Sequence, residues 1–136
     1  MPVTIEQVGG SVPVTVLEIN GDLDYSNYLD VIDKAREAHA SGARHLLIDL
    51  SDVPYMGSSG LFALHSVALL MMGQEPPDPE SGWDSYHALD RTLSSGLHAH
   101  VKLLGLQPRV DQVLERTGMK RFFEIHTDRA QAIGSF

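Results

Sequence analysis

Cysteine is absent from the 136 residues. Disulfide frameworks, thiol catalysis and thiolate metal sites therefore drop out together, which fits a reducing compartment. Positive charge is scarce: 10 Lys and Arg stand against 18 Asp and Glu, a formal net charge of −8. An acidic surface repels phosphate backbones and anionic lipid heads, so nucleic acid and membrane surfaces rank last among partners. Long apolar runs are also missing. The longest, Leu61 to Met72, is interrupted by His65 and Ser66 and is too short to span a bilayer. The opening MPVTIEQVGG has neither a basic start nor an apolar stretch, so no secretory leader is read there and a cytoplasmic protein is expected. Neither G-x-x-x-x-G-K-[ST] nor G-x-G-x-x-G occurs, so no phosphate-cradling loop is read. What is present is ordinary globular material, 43% hydrophobic and 21% charged. Its length suits one domain over residues 1–136.

Apolar and polar residues alternate in Val3–Val8 and Val12–Ile19, two half-buried strands joined through Gly9-Gly10-Ser11. Pro13 belongs at the start or edge of the second, because it donates no ladder hydrogen bond. Asn20-Gly21-Asp22 stops that strand, and Ser26 is placed to cap a helix carrying Tyr28, Val31, Ile32, Ala35, Ala38 and His39 on one face, with Ser41-Gly42 at its end. His45–Leu50 is nearly all apolar, as in a strand covered on both sides. After the loop SDVPYMG, a second helix is expected from Ser58 or Ser59 to about Met72. Residues 73–98, rich in proline and acid and including Trp83, read as an inserted loop with a short helix from Tyr86. A strand over His98–Leu104, a helix from Pro108 to Gly118, a strand over Phe122–His126 and a short helix capped by Asp128 follow. The order ββαβαβαβα predicts an α/β fold, a mixed but mostly parallel sheet of about four to five strands covered by about four helices.

Chemistry concentrates in Asp49–Leu61, D-L-S-D-V-P-Y-M-G-S-S-G-L, where a buried strand passes through a tight loop into a helix that starts with two hydroxyls. Open α/β sheets place binding loops beyond the carboxyl ends of their strands. The plain reading of Ser58 is a helix cap. The functional reading is a phosphate acceptor, because phosphorylation adds ~1.5–2 negative charges and a helix N-terminus accommodates them. A nucleophile elbow is not formed, since the glycines around Ser58 and Ser59 have the wrong spacing. Asp22, Asp24 and Asp30 gather at a helix start without EF-hand spacing, and His98 and His100 lack a third ligand, so neither group makes a metal site.

The segments Asn20-Gly21-Asp22-Leu23-Asp24, HLLIDLSDVPYMGSSGL and VKLLGLQPRVDQVLERTGMKRFFEIHTDRAQAI together resemble the STAS domain family, the bacterial anti-sigma factor antagonists and their relatives. The resemblance covers most of the chain outside 73–98. It implies a STAS-like fold and a regulatory domain without catalytic residues or cofactor. The implied partners are an anti-sigma factor that is also a serine kinase, and a serine phosphatase. Phosphorylation of the first Ser of the family's D-S-S-G motif, here Ser58, ends binding to the kinase. The implied contact residues are Asp22, Leu23 and Asp24 of the G-x-L-D loop with Met56, Gly57, Ser59, Gly60, Leu61 and Phe62, the apolar ones offering a surface to grip. Two departures stand out. Gly57 replaces the family's usual Asp before the acceptor, and a glycine there also admits backbone angles that other residues resist. The insertion at 73–98 follows the second helix. Both favour the alternative implied by the resemblance, a STAS scaffold subunit that is never phosphorylated, within a signalling complex or a lipid-transport ABC assembly.

Overall fold

β1 (Val3–Gly9) and β2 (Pro13–Asn20) form the antiparallel hairpin expected from their alternation, with Val3 opposite Ile19 and Gly9 opposite Pro13. Here and below the chain is seen in a computed structural model that describes residues 3–9, 12–74 and 100–136. β3 (Leu46–Asp52), β4 (Val101–Leu104) and β5 (Glu124–His126) add in parallel, giving one five-stranded sheet in the order β1-β2-β3-β4-β5. Four α-helices occur among the described residues: α1 (Tyr28–Ala40), α2 (Ser58–Met71), α3 (Pro108–Thr117) and α4 (Arg129–Gly134). A 3₁₀ turn, Met119–Phe122, occupies what reads in sequence as the start of the last strand. Phe122 is turned into the core from that 3₁₀ turn, which leaves only three residues to pair as β5. The insertion expected at 73–98, its helix from Tyr86 and Trp83 lie outside the described residues, apart from Gly73 and Gln74. His98, at the expected start of β4, lies outside them too.

The sheet has two unlike faces. Leu17, Ile19, Leu46, Ile48, Leu50, Val101 and Leu103 point to the side covered by α1, α2 and α3 and form the main core with Val31, Ala35, Leu64, Val67, Val110 and Leu114. The intervening residues Val14, Val16, Leu47 and Leu104 face the other way and are covered by Ala132 of α4, with Ile133 and Phe136 packed against them. This is why β3 shows no alternation: both faces are buried. α2 is apolar nearly all round, and every residue from Ala63 to Met71 is buried, so it sits as an inner helix. α3 is instead amphipathic, burying Val110 and Leu114, with Pro108 in its first turn and Gly118 beyond its end in left-handed backbone.

Candidate functional site

The carboxyl ends of β2 and β3 release two loops that are zipped together. Gly21 N donates to Asp52 O (2.9 Å), Leu23 N to Tyr55 O (3.0 Å) and Gly57 N to Leu23 O (3.0 Å), making a parallel bridge between Leu23 and Met56. The side chains of Leu23 and Met56 fill the space beneath, both fully buried. The 21–24 loop is stiffened from within. Asp24 Oδ1 accepts from the Ser26 hydroxyl (2.6 Å) and the Ser26 N–H (2.9 Å). Asn27 accepts from Asp24 N through Oδ1 (3.0 Å) and donates to Asp22 O through Nδ2 (2.8 Å). The Ser26 hydroxyl bond, and then the Ser26 N–H, hold the Asp24 carboxyl below its ordinary value, so it is a fixed anion at neutral pH.

These bonds correct one expectation. Ser26 does not cap α1; its hydroxyl is spent on Asp24, and Asn27 is the residue that precedes the helix. The DLS of the central motif has a local structural role as well. Asp49 Oδ1 accepts from Ser51 N (3.0 Å) and Oγ (2.6 Å), while Ser51 O accepts from Gln107 Nε2 (2.7 Å), tying the end of β3 to the start of α3.

Ser58 is the first residue of α2 and is exposed. The plain reading of it as a cap is overturned: Gly57 occupies the cap position, and no side chain caps this helix. No acid lies in the first turn of α2, so the positive end of the helix dipole has no carboxylate of its own. Gly57 has φ −89° and ψ −177°, extended backbone open to any residue. The expected special angle at Gly57 is therefore not there. A Cβ built on it would meet Tyr55 Cε2 and Oη at 3.7 Å and Asp24 Cβ at 4.0 Å, ordinary contacts.

The apolar residues expected to be gripped by a partner divide in two. Leu23, Met56 and Leu61 are buried, as is Gly60, because docking the two loops turns them into the core; their side chains are not a surface. Phe62 is half-buried, edge-on to Tyr28 with ring centroids 6.2 Å apart, and Tyr28 in turn lies 5.7 Å from Tyr25. Ser59 is half-exposed, and Asp22 is exposed. Exposed apolar groups that the sequence reading missed include Tyr25 (81% exposed) and Leu29 (48%), either side of the start of α1, and Tyr55 (44%) in the loop before α2. A signal for two of them existed, since Tyr25 directly follows the G-x-L-D segment and Tyr55 directly precedes Met56. Tyr55 and Asp22 also line an open cavity of about 510 Å³ with Pro54, Gln107, Pro108 and Arg109. Among the described residues, no group of three or more His, Asp or Glu is arranged to hold a metal, and no helix is long and apolar enough to cross a membrane.

Comparison with known proteins agrees with this fold. The family model described as "STAS domain" matches residues 4–70. No curated protein matches the sequence. Among solved structures, a candidate anti-sigma factor antagonist from Thermotoga maritima superposes with a TM-score of 0.69 at 18% identity, over 96% of this chain and 90% of that one. An anti-sigma factor antagonist from Mycobacterium paratuberculosis gives 0.64 at 19% identity, over 96% and 88%. The Bacillus cell fate determinant SpoIIAA in its phosphorylated form gives 0.55 at 18% identity, over 96% of both chains. At such identities the likeness to these structures is one of fold. Residues 4–70 thus match the STAS domain model, and the chain carries the SpoIIAA-like fold.

Proposed function

We propose that this protein is an anti-sigma factor antagonist: one domain over residues 1–136 that acts by binding an anti-sigma factor with serine kinase activity and is switched by phosphorylation of Ser58. The observation that carries this reading is the placement of the Ser58 hydroxyl, exposed at the first position of α2 and flanked by the docked 21–24 loop. A phosphate there adds ~1.5–2 negative charges at a helix start that has no acid of its own. The domain need not unfold to carry it. The phosphate would stand beside the Asp24 anion and the exposed Tyr25 and Tyr55, turning a partly apolar contact surface into a strongly anionic one. Loss of the partner then follows from charge and desolvation alone. A serine phosphatase resets the state. The contact surface under this reading comprises Asp22, Asp24, Gly57, Ser59 and Phe62 from the two motifs, with Tyr25, Leu29 and Tyr55 added and the buried Leu23, Met56, Gly60 and Leu61 acting as its support.

Gly57 favours a second reading, a STAS scaffold subunit that is never modified, because the family's carboxylate before the acceptor is missing here. One pair of measurements separates them. With the kinase-type anti-sigma factor and ATP, intact mass is expected to rise by a single phosphate in wild type and not in Ser58→Ala. Titration calorimetry is expected to show Ser58→Ala binding that factor like wild type and Ser58→Asp binding at least about tenfold more weakly, a loss of ~1.4 kcal/mol. An unmodified wild type selects the scaffold. Equal binding by Ser58→Asp removes the charge gate.

A further inference from the structure

The second face of the sheet carries a cluster unrelated to Ser58. Lys102 is buried on that face at 5% exposure. Its Nζ donates to Ser135 O and Ser135 Oγ, both at 2.9 Å, pairs with Glu124 Oε2 at 3.1 Å and lies 4.7 Å from the centre of the Phe136 ring. Beside it, the His45 ring is held between His100 (5.3 Å) and Phe136 (5.5 Å). His45 Nδ1 is buried and, among the described residues, has no hydrogen-bond partner. The cover over this face is thin. α4 has six residues and buries only Ala132 fully, with Ile133 partly buried beside it.

We propose that the segment 127–136 is a pH-gated clasp: protonation of His45 expels Phe136 and frees α4, baring the apolar strip of Val14, Val16, Leu47 and Leu104. A proton on His45 would charge a ring that has no carboxylate against it. The groups around it are His100, just before β4, and Lys102 on β4, both of the same sign when protonated, and the apolar Phe136. Glu124 on β5 is already engaged by Lys102 and by His126 Nε2 at 2.9 Å, so a charge on His126 is compensated where one on His45 is not. Burial, and then the nearby His100 and Lys102, press the His45 imidazole below its ordinary value. The packing energy of the neutral ring is thus fully present above the ordinary imidazole range and is lost as pH falls through it. At the far end of the clasp, Arg129 pairs with Glu6 (2.7 Å) and Glu18 (3.9 Å), the hinge side of the cover.

The test is amide hydrogen exchange read by mass spectrometry at about pH 7.5 and about pH 5.5, corrected for intrinsic rates. In wild type the protection of 127–136 is expected to fall by about tenfold or more at the lower pH, with β3 unchanged. His45→Phe keeps an apolar ring against Phe136 and is expected to stay protected at both values. Lys102→Met, which removes the latch, is expected to expose 127–136 at both values while β3 remains protected. Wild-type protection that is the same at both values overturns the clasp, and so does equal acid loss in His45→Phe. Full protection in Lys102→Met overturns the latch.

Discussion

A Cβ built on Gly60 would come within 2.6 Å of Met56 Cγ and 3.0 Å of Leu23 O, inside the distance that real contacts allow. The glycine is what lets the 21–24 loop lie directly on the first turn of α2. Gly57, three residues earlier, meets nothing closer than 3.7 Å and has unstrained backbone. The two should therefore respond differently to the same change. Gly60→Ala is expected to destabilise by about 1–3 kcal/mol through overpacking. Gly57→Ala is expected to stay within about 1 kcal/mol of wild type, because the freedom lost by the unfolded chain offsets the poorer fit of alanine at a helix cap. Urea unfolding of the two variants checks this. A large loss for Gly57→Ala would mean that the notch between Tyr55 and Asp24 is needed by the fold. Residue chemistry of this kind was only half legible beforehand. The motif singled out both glycines, but which of them the fold requires depends on a loop more than thirty residues away.

At the scale of elements, the G-x-L-D loop behaves as a rigid part because Asn27 and Ser26 brace it from both sides. Asn27→Ala removes an acceptor for Asp24 N and a donor to Asp22 O. It is expected to cost about 1–2 kcal/mol and to raise amide exchange at 22–24 above that of α1. Ser26→Ala takes away the bond that contributes most to the low Asp24 carboxyl value, so that value should move upward toward an ordinary aspartate in a carbon-13 NMR titration. An unmoved titration would assign the shift to other charges. The sign for stability is fixed: a lowered carboxyl contributes above its ordinary value, and the contribution fades as pH falls.

Elements were legible from the sequence where periodicity and end signals agreed. β1, β2, α1, β3, α2 and α3 fall within a few residues of the expected spans. Asp128 caps α4 as read, accepting from Gln131 N at 3.1 Å. Ser26 reads as a cap by residue type, and type cannot say which partner a hydroxyl will find; its actual partner, Asp24, lies only two residues away. Leu23, Met56 and Leu61 enter as contacts through the family resemblance, which does not say which way a side chain turns. Their burial follows from two loops meeting across the sheet end, a contact between residues 21–24 and 52–57 that no local pattern encodes. The exposed Tyr25 and Tyr55 are the complement of the same event, left outside once their neighbours were drawn in.

For the whole molecule, the sheet separates the two proposed sites by face and by end. The site proposed for partner binding lies at the carboxyl ends of β2 and β3, while the titratable cluster lies on the face beneath α4, and β3 supplies residues to both. Acidity binds the two together. A net charge of −8 on a chain this small opposes compaction through self-repulsion. The described ion pairs oppose that repulsion, but most are exposed, such as Lys120–Asp111 (2.7 Å) and Arg129–Glu6, and contribute little. Lys102–Glu124 is different, because the lysine end is buried and salt reaches it poorly. Raising ionic strength from about 0.01 M to about 0.15 M at neutral pH screens the long-range repulsion more than the buried pair. The thermal midpoint of wild type is therefore expected to rise with salt, and Lys102→Met should rise in parallel from a lower start. A midpoint that falls with salt would mean that the exposed pairs, not the net charge, dominate the electrostatic free energy of this fold.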